Sequence, residues 1–113
     1  MATKQTNERR LSHRHTASRA IRYRMMGDVH VEHLRDISKT GAYINCREPL
    51  PLGTALLLEF HVEESSRFQL EAKVVRVVWG GRQDGVEIEP GMALQFQEIS
   101  QETLNRLLLH SAP

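Results

Sequence analysis

Arg9-Arg10-Leu11-Ser12-His13-Arg14 puts three guanidinium groups into six residues, and about twenty residues later comes Asp36-Ile37-Ser38-Lys39-Thr40-Gly41. Arginine donates through a planar fork, stays charged and accepts nothing. The second stretch offers a carboxylate, a hydroxyl and a glycine on a connection between two predicted strands. A carboxylate takes two donors side by side, a hydroxyl donates or accepts, and glycine lets backbone approach closely or adopt positive φ. Together the stretches suit a ligand that is anionic and rich in donor and acceptor edges, as a guanine nucleotide is. Each alone has a plainer reading. Arginines near an N-terminus are usually a solvated tail, and an Asp-x-Ser-x-x-Gly run is usually a turn.

The elements that must hold these groups fit a single small domain: 113 residues, 40% hydrophobic, with a formal charge of +1. So small a net charge argues against duplex DNA or a membrane surface as partner. The charge is uneven, however: from Met1 to Arg24 there are seven Lys/Arg and one acid, Glu8. That asymmetry marks the N-terminal segment as the anion contact. Cys46 is the single cysteine, which excludes an internal disulfide and an all-thiolate zinc site. No leader-like stretch and no run approaching the ~18–20 apolar residues of a membrane span is visible, so a soluble, cytoplasmic protein is expected.

Residues 1–8 are polar and aperiodic and are expected to be disordered. Residues 9–16 read as an arm that orders on demand, with Leu11 its one apolar anchor. Period-two alternation then predicts strands at residues 20–25, 29–34, 41–46, 55–62, 68–79 and 92–96, with a weak extension at 86–88. In the fifth strand Leu70, Ala72, Val74 and Arg76 fall on one face and Val75, Val77 and Trp79 on the other. Residues 63–67 read as a hairpin loop and residues 80–85 as a flexible connection. From Ser100 the period changes: Leu104, Leu107 and Leu108 make a helical stripe, with Ser100 as N-cap and Thr103 in place of the capping-box acid. Short strands with frequent turns, closed by one helix, predict a mainly β, antiparallel barrel with residues 17–97 as the barrel and 100–110 as a covering helix.

The motif Arg-x-x-x-Arg, here Arg10 and Arg14, followed by Asp-x-Ser-x-x-Gly, here Asp36, Ser38 and Gly41, resembles the PilZ domain family of bacterial cyclic di-GMP receptors. The similarity runs from about Glu8 to His110. It includes the turn Glu48-Pro49-Leu50-Pro51-Leu52-Gly53-Thr54, the strand Ala72-Lys73-Val74-Val75-Arg76-Val77, the strand Gly91-Met92-Ala93-Leu94-Gln95-Phe96 and the closing helix. The resemblance implies one PilZ domain over residues 9–110, a six-stranded, Greek-key-like barrel with a flexible N-terminal arm, and no catalysis. It also implies an arm that closes over ligand seated on the barrel. Where the family usually has a second glycine this chain has Ala93, outside both ligand motifs, and little effect on recognition is expected.

The resemblance and the chemistry agree on Arg10 and Arg14 as forks for phosphate or the guanine O6/N7 edge, Asp36 as acceptor for the guanine N1–H and amine, and Ser38 and Gly41 as polar and backbone contacts. In the family, an arginine in Arg9's position accompanies a stacked ligand pair, which implies an intercalated cyclic di-GMP dimer. Charge-assisted hydrogen bonds contribute about 1.5–3 kcal/mol each, and ordering backbone costs roughly 1–2 kcal/mol per residue. Micromolar affinity, about −8 kcal/mol, is therefore expected, with ordering of the arm as the signal to an effector protein. A monomer or weak homodimer is expected. No cofactor is implied.

Other features read as structure. Arg19, Arg22 and Arg24 suit the solvent face of a strand, and Trp79 suits packing. His30 and His33, three apart on a strand, point to opposite faces and do not chelate together. Catalytic glycine, serine or zinc-hydrolase motifs are missing, and Cys46 suits packing. Two rival functions remain. One is a PilZ-like adaptor that docks proteins without nucleotide, which the intact motifs oppose. The other is nonspecific nucleic-acid binding by the arm, which the weak charge and lack of interleaved aromatics oppose.

Overall fold

A period of two makes a half-buried strand only if one face meets a core, and along this chain the faces meet by closing a sheet on itself. The computed structural model describes residues 14–63 and 66–109. They form strands β1 (His15–Met25), β2 (Asp28–Ile37), β3 (Gly41–Asn45), β4 (Ala55–Glu63), β5 (Ser66–Val78), β6 (Gly81–Gln83), β7 (Val86–Ile88) and β8 (Gly91–Phe96), then helix α1 (Gln101–Leu109). Six of them close an antiparallel barrel in the order β1-β2-β3-β8-β5-β4. Closure runs through Arg22↔Glu59, Tyr23↔Leu58 and Arg24↔Leu57. This is the barrel and terminal helix expected from the sequence.

The interior holds Ile21, Tyr23, Leu34, Ile37, Ala42, Ile44, Leu58, Phe60, Val74, Met92 and Leu94, nearly all fully buried. Helix α1 adds Leu104 and Leu107 to that core, so its apolar stripe covers one end of the barrel. The Ser100 hydroxyl accepts from the Thr103 amide at 3.0 Å and donates to the Thr103 hydroxyl, which caps the helix in the predicted place. At its other end Arg19 donates to the Leu107 carbonyl at 3.4 Å, a cation at a helix C-terminus. Arg19 therefore departs from the solvent-face expectation: it ties β1 to α1, and burial lowers its pKa.

Other departures have physical causes. β1 starts at His15 and pairs from there, His15↔Ile37 and Thr16↔Asp36, so the strand reaches back into what the sequence marks as arm. The presumed loop at residues 63–67 is tighter, because Glu63 already pairs with Ser66. The presumed flexible connection at residues 80–85 is most of a hairpin, β6 on β7, in which Gly81 pairs with Ile88 and Gln83 with Val86. Its tip is Asp84-Gly85 with φ of 53° and 79°, the positive-φ pair a two-residue hairpin requires. Trp79 is 67% exposed and does not pack in the interior.

On the outer wall the Glu59 carboxylate is covered by neighbouring side chains rather than sunk deep in protein. Arg24 donates to its Oε2 at 2.8 Å, as does Gln69 at 2.8 Å. The Arg24 hydrogen bond is the largest influence, and it holds the Glu59 carboxyl below its ordinary value of 4.5 against the opposing effect of burial. A depressed carboxyl stabilises the fold above its unfolded pKa, and that stability is lost as pH falls through the folded one. Arg24→Ala should therefore lower stability by about 1–2 kcal/mol at pH 7. The deficit should shrink in acid, as Glu59 protonates in both proteins. Urea unfolding midpoints at pH 7 and near pH 3 measure both.

Candidate functional site

Strand β2 carries Asp36 on its last turn of pleat, and β1 runs antiparallel beside it, so Arg14 arrives next to Asp36 from the other end of the sequence. The Arg14 guanidinium donates to Asp36 Oδ1 at 2.5 Å, with the two side chains 49% and 25% exposed. The structure thus brings together one residue from each motif, 22 positions apart. Arg9 and Arg10 lie outside the described residues, as do the tail and most of the arm.

Ser38 and Gly41 do something different from Asp36. Ser38 is 2% exposed. Its hydroxyl accepts from the Gly41 amide at 3.2 Å and the Thr40 amide at 3.3 Å, and donates to the Gly41 carbonyl at 3.3 Å. Its own amide donates to the Gly41 carbonyl at 2.8 Å. The serine is therefore the internal tie of the β2–β3 turn. Glycine at 41 is required by close approach: a Cβ there would stand 2.5 Å from the Leu94 carbonyl oxygen of β8, and 3.8 Å from the Arg14 guanidinium. Positive φ is not the reason. The same turn is pinned to β8 and its exit by Phe96 and Ile99 amides donating to the Thr40 and Lys39 carbonyls at 2.9 Å each.

A cavity of about 810 Å³ opens beside the pair, lined by Arg14, Arg35, Asp36, Tyr43, Arg76, Val78 and residues 87–89 at the end of β7 and just past it. Register explains its make-up. Asp36 lies opposite Tyr43, Tyr43 opposite Ala93, and Ala93 opposite Arg76, a single row across four strands on the outer wall. Two bulges place its ends. The ladder slips between Leu34 and Asp36 in β2 and between Val74 and Arg76 in β5. Each inserts one residue and sends two successive side chains outward. Leu34 and Ile37 stay inside with Arg35 and Asp36 between them. Val74 is buried and Val77 packs on the core, with Val75 and Arg76 between them facing out. Arg76 therefore does not share Val74's face, as simple alternation predicts, and Val77 does not share that of Val75.

Tyr43 is 7% exposed. Its hydroxyl lies over Gly91, where a Cβ would collide with it and with the Ile44 carbonyl. The Arg35 and Arg76 guanidinium carbons sit 5.5 and 6.0 Å from its ring centroid. Burial pushes the Tyr43 phenol up, and Arg76 and Arg35 offset part of the rise. Ala93 pairs regularly with β3 and has no positive φ, so its own strand is not bent where the family usually has a glycine. Arg35 and Tyr43 escape the motif reading. Their signal was the pair of adjacent polar residues, Arg35-Asp36, breaking alternation between Leu34 and Ile37.

Among the described residues there is no group of three His, Cys, Asp or Glu able to hold a metal. His30 stacks on Tyr23, with ring centroids 4.9 Å apart. Cys46 is buried, and burial, with Glu32 adding to it, pushes the thiol up to about 11, so at neutral pH it is a packed thiol rather than a nucleophile. Among the described residues no helix is long and apolar enough to cross a membrane.

The family model PilZ domain matches residues 8–111. The chain belongs to the PilZ domain family. Solved structures share the fold. The Bacillus subtilis inhibitor of motility MotI/DgrA aligns at a TM-score of 0.65 and 21% identity, over 91% of this chain and 49% of that one, so this chain spans about half its length. The PilZ domain of YcgR from Escherichia coli, solved with c-di-GMP, aligns at 0.64 and 16% identity over 91% of each chain. Borreliella burgdorferi PlzA, in complex with c-di-GMP, aligns at 0.56 and 11% identity over 98% of this chain and 54% of that one. No curated protein sequence matches the chain.

The division of labour within the motif gives a prediction. Ser38→Ala and Gly41→Ala should each lower stability by roughly 1–3 kcal/mol, through lost turn bonds and backbone collision respectively. Arg14→Ala and Asp36→Ala break an exposed pair and should cost no more than about 1 kcal/mol. Thermal or urea melts of the four variants separate the two classes.

Proposed function

We propose that this chain is a non-enzymatic receptor for cyclic di-GMP. The observation that carries the reading is the Arg14–Asp36 pair at 2.5 Å on the rim of a large outer-wall cavity. A fork and a carboxylate that satisfy each other satisfy, separately, a phosphate or guanine acceptor edge and a guanine donor edge. Binding exchanges one charge-assisted pair for two contacts to ligand, so the site does not strand a charge at either stage. Family membership and the complexes of YcgR and PlzA support the reading.

In this scheme Arg10 joins Arg14 as the second fork, Arg9 contacts a second ligand molecule in an intercalated dimer, and Ser38 and Gly41 present Asp36 through the rigid turn. Residues 9–13 precede β1 in the chain, next to the Arg14–Asp36 pair. Ordering that segment is the signal offered to an effector protein. The adaptor reading, docking without nucleotide, has no structural feature in its favour comparable to the pair.

Calorimetric titration of the full chain with cyclic di-GMP should give micromolar binding with two ligand molecules per protomer. Arg14→Ala and Asp36→Ala should each weaken it at least about tenfold, the loss of one charge-assisted hydrogen bond. No heat with the native protein would favour the adaptor. One ligand per protomer would remove the dimer and the role given to Arg9. Unchanged binding in both variants would misplace the site.

A further inference from the structure

A closed barrel should leave no strand edge bare, yet β2 is paired on both sides along only part of its length. On one side it follows β1 from Asp28 to Ile37. On the other it meets β3 only from His33, opposite Asn45, onward. Among the described residues no backbone group bonds to that second edge along residues 28–32. About 16 Å of strand, at ~3.3 Å per residue, therefore presents unpaired backbone donors and acceptors. Natural proteins blunt such edges with proline, lysine or a bulge, and Asp28-Val29-His30-Val31-Glu32 holds none of the three.

The side chains along the edge are sorted by face and by charge. Val29 and Val31 share the outer face, 45% and 60% exposed. Asp28, His30 and Glu32 have the other parity, with His30 stacked on Tyr23. Where β3 ends, the edge runs into a cavity of about 470 Å³ bordered by Glu32, His33, Asn45, Arg47 and Glu89. The Asn45 amide nitrogen is covered from solvent and donates to nothing among the described residues. A backbone carbonyl on an added strand is the acceptor it lacks. Carboxylates stand at both ends, Asp28 at one and Glu32 with Glu89 at the other, against Arg47 and His33. A second copy of the chain suits this edge poorly. The symmetric antiparallel pairing that uses all of residues 28–32 sets Asp28 of each copy against Glu32 of the other, and like charges directly opposite are unfavourable.

We infer that residues 28–32 of β2 are a docking edge for an extended segment of a partner protein in which apolar residues alternate with lysine or arginine. The segment's backbone completes the ladder, which supplies affinity, and its alternate side chains supply specificity. Its apolar residues lie beside Val29 and Val31, and its cations meet Asp28, Glu32 and Glu89. The edge is formed without nucleotide, so this inference does not rest on the receptor reading.

The probe is a blocked peptide that alternates lysine and valine, titrated into the ¹⁵N-labelled full chain, with a peptide alternating glutamate and valine as control. The lysine peptide should shift the amide signals of residues 28–33 and 45–47 saturably, and the glutamate peptide should not. Val31→Lys places a cation on the exposed outer face, so its melt should match the native protein while the lysine peptide binds at least about tenfold more weakly. Glu32→Gln should weaken the same peptide by a smaller factor. No saturable shift at residues 28–33 with the lysine peptide, or equal binding of the two peptides, would overturn the docking edge. A full chain that sediments as a dimer and becomes a monomer on Val31→Lys would give the edge to a second copy and overturn the partner strand.

Discussion

A side chain on a closed barrel has two directions, in or out, and the two-residue period of the strand decides between them. Everything at the site depends on where that rule is obeyed and where it is broken. In β3 and β8 it is obeyed: Ala42, Ile44, Met92 and Leu94 are buried in the core, with Tyr43 and Ala93 facing outward between them. In β2 and β5, on either side, it is broken once each, giving the same in-out-out-in sequence at residues 34–37 and 74–77. The regular pair supplies a flat wall and the bulged strands add charge to its two ends. Bulges also sharpen twist, which suits a barrel of six strands.

The Asp-x-Ser-x-x-Gly run then separates into two jobs that its pattern does not distinguish. Asp36 stands on a strand with its carboxylate on the cavity. Ser38 is spent inside the turn, and Gly41 permits β3 to lie against the Leu94 carbonyl. The turn is in turn fastened to the strand that leads into α1. A rigid carboxylate matters for recognition because a group that is already held in place loses little freedom on binding. Arg14, just ahead of β1, meets that carboxylate from the neighbouring strand.

Much of this was legible in the sequence because it rests on local rules. Alternation located the strands of the barrel, Leu104 and Leu107 marked the helix face, and the two motifs pointed to the pair that the fold joins. The departures share one cause: a tertiary event overrides a local rule. Alternation through residues 74–77 misassigned Arg76 because a bulge leaves no propensity signature in Val-Val-Arg-Val. Trp79 suits packing by residue type, but it stands where β5 leaves the barrel for the β6–β7 hairpin, 67% exposed. That hairpin has a legible signal, Asp84-Gly85, set inside a polar, glycine-rich run that resembles a loop. Arg19 looked like one of three solvent-facing arginines, and only the position of α1 over the barrel end shows the carbonyl it reaches. Arg35 lies one residue from the motif, and its outward place beside Asp36 follows from a register that no single strand contains.

The central claim is that the outer-wall row from Asp36 through Tyr43 to Arg76, with Arg14 against it, is where cyclic di-GMP sits. Backbone amide spectra of the ¹⁵N-labelled full chain during titration with cyclic di-GMP address it most directly. The account predicts saturable shifts concentrated at Arg14, residues 35–43, 91–93 and 76–78, with the Glu59–Gln69 wall on the other side of the barrel unmoved. Saturable shifts centred on that opposite wall, with Asp36 and Tyr43 silent, would contradict it.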